Sequence, residues 1–263
     1  MFEALSYEVA GAVATISHNR PESRNAESQL LLDEMDAALA QAVEDDRISV
    51  IVLAGKGDHF SAGHDIKEAQ AKRAGFTVEE RWAYERLRYF DYALRILDCP
   101  KPTVASVNGA CIAGAFMVAN MCDIVIASED AYFADPVVRT MGVAAVEVLI
   151  HPWVLGQRRA REMLFTGERV SARDAWMLGM VNRVVPQGEL ASATADLARK
   201  IAEGPGFTLQ LVKRSLNRTA DIQGLRTALQ AHFDTHQLSH VSQAFKTVRD
   251  RGLASAIEAG RKS

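Results

Sequence analysis

Two small-residue turns hold the residues best placed to do chemistry. The first is Phe60-Ser61-Ala62-Gly63-His64-Asp65, the second Asn108-Gly109-Ala110-Cys111-Ile112-Ala113-Gly114-Ala115-Phe116. Each follows a β-branched run that reads as a strand, and each opens a helical stretch. The first N–H groups of a helix have no intrahelical acceptor and attract negative charge. Two such donors converging on one carbonyl oxygen make an oxyanion hole, often the largest single catalytic term. The imidazole of His64 either lines that site or is a solvated loop histidine; both readings stand. Asp65 suits a helix cap better than a base. The same small residues also suit tight helix packing, which is compatible with amide presentation.

Groups able to move a proton are scarce. Glu147 follows the turn Met141-Gly142-Val143-Ala144-Ala145-Val146 inside the apolar stretch Val143 to Ile150. A carboxylate there either faces a pocket with a raised pKa or turns to solvent at a helix start, and its apolar neighbours favour the pocket. His151 could share a helix face with it, although Pro152 disfavours helical geometry at His151. Asp135, followed by Pro136, reads as a turn aspartate. His232, His236 and His240 lie four apart on one expected helix face. A solvated or subunit-facing stripe fits them better than a metal site, and His18 and His59 have no metal spacing either. No metal is expected. Cys99, Cys111 and Cys122 sit in or beside apolar stretches and read as buried reduced thiols.

The elements that must position these groups alternate in type. Leu5–Val9 and Ala12–Ser17 read as a hairpin about Gly11, and Leu30–Val43 has helical periodicity. Val50–Leu53, Thr103–Val107 and Asp123–Ala127 read as strands, Glu79–Leu97 as one long amphipathic helix, and Gly114–Asn120 as a short one. Asp65 with Glu68 forms a plausible capping pair. After Pro205 the pattern is helical only, through 207–216, 225–238 and 241–248. Strands alternating with helices argue an α/β core over 1–200, followed by a helical region over 201–263.

Composition narrows the classes. The chain has 263 residues, 48% of them apolar, enough for an ordinary globular core. A net charge of −3 advertises neither nucleic acid nor anionic lipid as a partner. No apolar run is long enough to span a membrane, and the N-terminus lacks a basic leader, so a soluble cytoplasmic protein is expected.

Several segments in order resemble the crotonase (enoyl-CoA hydratase/isomerase) family. The two turns do so, as do Asn19-Arg20-Pro21-Glu22-Ser23-Arg24-Asn25-Ala26, Met121-Cys122-Asp123-Ile124-Val125-Ile126-Ala127, Leu164-Phe165-Thr166-Gly167 through Ala175, Leu178-Gly179-Met180-Val181-Asn182 and Val184-Val185-Pro186. The resemblance covers about Leu5 to Pro186 and extends loosely into the tail. It implies a crotonase-like spiral of ββα units with a C-terminal helical oligomerisation region, a homotrimer or hexamer, and an acyl-CoA thioester as substrate or ligand with no further cofactor. It places the oxyanion amides at His64 and Ala115. It makes Arg24, Ala62 and Lys67, with Arg20 beside them, candidates for the CoA end, and adds Phe245 and Arg249 from the tail.

The same resemblance exposes a departure. Hydratases of this family hold a water between two glutamates, at positions matched here by Met117 and Val137. Neither side chain can activate water or protonate a carbon. Some relatives, such as dienoyl-CoA isomerases and chlorobenzoyl-CoA dehalogenases, carry an aspartate one residue before the position of Glu147. Glu147 is therefore the expected proton shuttle, in an isomerisation or an atypical hydration. A non-catalytic acyl-CoA binder, and a CoA-thioester hydrolase or decarboxylase, are the alternatives.

Overall fold

The structure, a computed structural model, describes residues 2–253. Leu5–Ala10 (β1) and Val13–His18 (β2) form the expected hairpin, with Gly11 at φ +59° between them. Gln29–Glu44 (α1) is capped by the Ser28 hydroxyl, which accepts from Leu31 N–H, and buries Leu31, Leu32, Met35, Ala38, Leu39 and Ala42. Val50–Gly55 (β3) leads through the first turn into Ile66–Arg73 (α2), where the Asp65 side chain accepts from Glu68 N–H. The expected single helix over 79–97 is Val78–Glu85 (α3) and Asp91–Leu97 (α4), joined by one π turn at Arg86–Phe90. Such turns widen a helix locally and often mark functional sites.

Thr103–Val107 (β4), Ala110–Ile112 (β5) and Gly114–Asn120 (α5) form one ββα unit. Ile124–Ser128 (β6), Tyr132–Ala134 (β7) and Val137–Thr140 (α6) repeat it. His151–Thr166 (α7), Val170–Ser171 (β8), Ala172–Met177 (α8) and Arg183–Val185 (β9) complete the spiral. The larger sheet runs β1-β2-β3-β4-β6-β9 with only β1 antiparallel; the smaller runs β5-β7-β8. The chain steps between sheets at Gly109, φ +50°, where a methyl group would lie 2.1 Å from Asp58 O. That contact admits only glycine.

The tail folds back onto this core. Leu190–Ala202 (α9) sets Leu190 and Ala198 against Val50, Val52, Val104 and Ile126 of the larger sheet. Gly206–Ile222 (α10) precedes Leu225–Ser239 (α11), which drives Leu229 and Phe233 into the main core beside Phe90. Gln243–Arg251 (α12) packs Phe245 on Met141 and Val143. Residues 254–263 of the expected helical region lie outside the described residues. Among the described residues, no helix is long and apolar enough to cross a membrane.

Candidate active site

Backbone pairing sets the two turns side by side. Ser61 and Cys111 form a parallel bridge: Ser61 N–H donates to Ala110 O (3.0 Å) and Ile112 N–H to Ser61 O (3.2 Å). Glu27 and His64 form a second one, through Glu27 N–H to Gly63 O (2.9 Å) and Asp65 N–H to Glu27 O (3.0 Å). At Gly63, φ +83°, a methyl would lie 2.5 Å from Ile112 O and 3.2 Å from Gly114 N. Ala113 is held at φ +52°, ψ −111°, a costly conformation for a residue with a Cβ, while its N–H donates to Ala134 O (2.8 Å). That kink starts α5, leaving Ala115 in its first turn. Among the described residues, neither His64 N–H nor Ala115 N–H has a protein acceptor.

The imidazole of His64 is not a solvated loop group. Its Nδ1 lies 3.0 Å from Glu27 Oε2 and its Nε2 lies 3.1 Å from Glu147 Oε2. The Tyr89 ring, placed by the π turn, stacks on it at 3.7 Å between centroids and 18° between planes. Carboxylates only accept, so both ring nitrogens donate and the ring is an imidazolium. Burial opposes that charge, but Glu147 and Glu27 outweigh it and raise His64 to about 10. Gly114 makes the arrangement possible, since a methyl there would sit 2.4 Å from His64 Cε1 and 2.5 Å from Glu27 Oε2.

Glu147 is 4% exposed, on the loop before α7. Burial pushes its pKa up, yet contact with His64, then the field of His236, brings it below the ordinary carboxylate value. The raised pKa expected from its apolar neighbours is thus reversed by a cation brought in from 83 residues away. The possible Glu147–His151 pair does not form. His151 opens α7 and lies with Nε2 3.2 Å from Asp135 Oδ2, an ion-pair distance without hydrogen-bond alignment. Asp135 accepts from Val137 N–H (3.3 Å) and Val146 N–H (3.1 Å), so it ties down the residue before Glu147.

Met117 is fully buried on α5, and Val137, at the start of α6, packs partly buried against the same core. On the expected CoA side, Arg24 and Lys67 are exposed, and Ala62 N–H donates to Arg24 O (2.9 Å). Arg20 is engaged by Asp65 (3.1 Å) and Ala26 O (2.6 Å). Phe245 faces inward with the Arg81 guanidinium over its ring, and Arg249 binds Asp250. The histidine stripe of α11 also turns inward: His232 Nε2 is 2.8 Å from Val146 O and His236 Nδ1 is 2.9 Å from Ala145 O.

Sequence reasoning missed Glu27 and Glu85. Glu27 directly follows the Asn25-Ala26 motif, is 1% exposed, and keeps Oε1 buried without a protein partner. Glu85 falls four residues before Tyr89 on the apolar stripe of its helix, an acid on a core face. That mismatch was the available signal for it.

A spiral of ββα units whose two small-residue turns are paired side by side by their backbones defines the class of α/β protein to which the chain belongs. The chain belongs to the enoyl-CoA hydratase/isomerase family, which it matches over residues 8–260. It is 39% identical over 258 residues to EchA13 of Mycobacterium tuberculosis, covering 91% of this chain and 81% of that one. It is 34% identical over 222 residues to the mitochondrial enoyl-CoA hydratase of Pongo abelii, covering 82% and 73%. A crystal structure of an enoyl-CoA hydratase/isomerase from Xanthobacter autotrophicus Py2 superimposes with a TM-score of 0.91 at 35% identity, covering 98% of this chain and 97% of that one.

Proposed function

We propose that this protein is an acyl-CoA-processing enzyme of the hydratase/isomerase type, without the usual two-glutamate water site. The His64 and Ala115 amides hold the thioester oxygen, and Glu147 moves the proton at the α-carbon. The observation that carries this reading is the Glu27–His64–Glu147 chain at the residue that supplies the first amide. When Glu147 takes the α-proton it becomes neutral, and the negative charge reappears on the enolate oxygen. The imidazolium stays close to the charge throughout, which limits reorganisation during the step. Returning the proton to the γ-carbon shifts the double bond; adding water to an enoyl thioester and protonating the α-carbon hydrates it. The protein acts in the cytoplasm as a homotrimer or hexamer, with no cofactor beyond the CoA thioester. Arg24, Ala62 and Lys67 contribute to the CoA end.

The test is crotonyl-CoA hydration, with binding followed by calorimetry, alongside an isomerisation assay on a 3-enoyl-CoA. Glu147→Gln should retain binding and lose about 10²–10⁴-fold in turnover; full activity in that variant removes Glu147 from the mechanism. Met117 and Val137 favour a second reading, a non-catalytic acyl-CoA carrier or sensor, because an apolar pocket holds an acyl chain without reacting. It requires tight binding with no turnover across a broad thioester panel, and efficient turnover of any member rejects it.

A further inference from the structure

Beyond the thioester site, the charged chain continues into a second cluster. Glu85 at the end of α3 meets His236 and His240, one helical turn apart at the end of α11. Glu85 Oε2 lies 3.4 Å from His236 Nε2 and 3.4 Å from His240 Nε2, and the two nitrogens are 3.1 Å apart. Glu85 and His236 are buried and His240 is nearly so. We propose that Glu85, His236 and His240 form a binding site for one divalent transition-metal ion of the zinc class.

Geometry carries the proposal. A tetrahedron with metal–ligand bonds of about 2.0–2.1 Å has edges of about 3.3–3.4 Å. The three atoms form one face of such a tetrahedron, and a point equidistant from them lies about 1.9 Å from each in their plane. An ion slightly off that plane reaches normal bond lengths without moving a side chain.

The outer contacts suit ligation. Ala145 O can only accept, so His236 Nδ1 carries a hydrogen, and Nε2, once an incoming ion displaces any proton on it, turns a lone pair toward the cluster. His240 Nδ1 is buried without a protein partner. Gln237 Nε2 donates to Glu85 Oε2 (2.6 Å), while Arg81 takes the other oxygen, Oε1 (3.2 Å), orienting the carboxylate. Two imidazoles and one carboxylate are a donor set for zinc-class ions. Without an ion, two imidazole nitrogens face each other and one acid, and a single proton cannot serve all three edges. Glu147 Oε1, 3.6 Å from His236 Nε2, borders the cluster from the thioester side. A bound ion would therefore clamp α3 to α11 beside the loop that carries Glu147.

The test is titration of chelator-treated protein with Co²⁺, reading the ligand-field absorption of a four-coordinate site and the rise in Tm. One equivalent should bind, Zn²⁺ should displace it, and both signals should vanish in Glu85→Gln and His240→Ala. Gln237→Leu should weaken binding about 10–100-fold. His232→Gln, on the same helix but outside the cluster, should bind normally. If Glu85→Gln does not fold, His240→Ala and a zinc-edge anomalous map of wild-type crystals carry the test. No ligand-field band in the wild type, an unchanged band in His240→Ala, or an anomalous peak elsewhere overturns the proposal; the cluster is then an ion-pair network.

Discussion

Asp135 with His151 and Glu147 with His64 are two buried acid–imidazole contacts only twelve residues apart in the chain, yet they are built differently. Asp135 gives both oxygens to backbone amides, Val137 and Val146, and His151 stacks on Phe116 at 4.4 Å. Among the described residues Glu147 accepts from no backbone amide; it faces His64 on one oxygen and His236 on the other. An acid saturated by fixed amides braces a loop. An acid whose partners are imidazoles can exchange a proton with them or with a bound molecule. The first contact ties down the residue that precedes the acid of the second.

The largest effect should come from removing the shared cation. His64→Ala leaves Glu27 and Glu147 buried and facing each other, and breaking such a pair costs about 3–5 kcal/mol. Chemical denaturation at neutral pH measures it, and a loss near zero would mean that the imidazole carries no charge in the fold. Gly114→Ala comes next, because its Cβ would meet His64 Cε1 and Glu27 Oε2. It should displace the ring and reduce kcat/KM by on the order of 100-fold with the fold intact by circular dichroism; unchanged kinetics would separate the ring position from catalysis.

The pH dependence of stability follows from the same contact. The folded pKa of His64 is raised to about 10 from an ordinary value near 6.5. Its contribution is therefore complete below about 6.5 and is lost as pH rises toward about 10. Denaturation midpoints should fall across that window in the wild type and much less in His64→Gln; parallel profiles would contradict the pairing. The smallest effect belongs to the brace. His151→Phe keeps an aromatic ring on Phe116 but adds volume at a fully buried position, and should cost about 1–3 kcal/mol. Its kcat should stay within about twofold, given that the helix it opens does not carry the proton; a large kinetic defect would erase the distinction between the two contacts.

Much of the frame was legible before the structure. Periodicity marked α1, β3, β4 and the helices α10 to α12, though not α9, and the glycines marked both turns, because these signals are local. The short strands β5, β7 and β8 were not, since two or three residues show no alternation. The π turn has no signature in the periodicity of 79–97, yet it brings Tyr89 against His64. The partners of His64 lie 37 and 83 residues away, so only tertiary structure reveals them. The α11 histidines read as a solvated or subunit-facing stripe because polar residues at four-residue spacing usually lie on an outer helix face. Here the loop 141–147 and α3 cover them: His232 and His236 reach backbone carbonyls, and Glu85 lies against His236 and His240.

The most direct measurement is nitrogen-15 NMR of the histidine side chains, titrated from pH 6 to 11 in the wild type and in Glu147→Gln. The expected result is one ring that stays doubly protonated at neutral pH and titrates near about 10, with its midpoint falling in Glu147→Gln. His64 titrating near its ordinary value, or unmoved by loss of Glu147, would contradict the charged Glu27–His64–Glu147 chain on which the proton-transfer role depends.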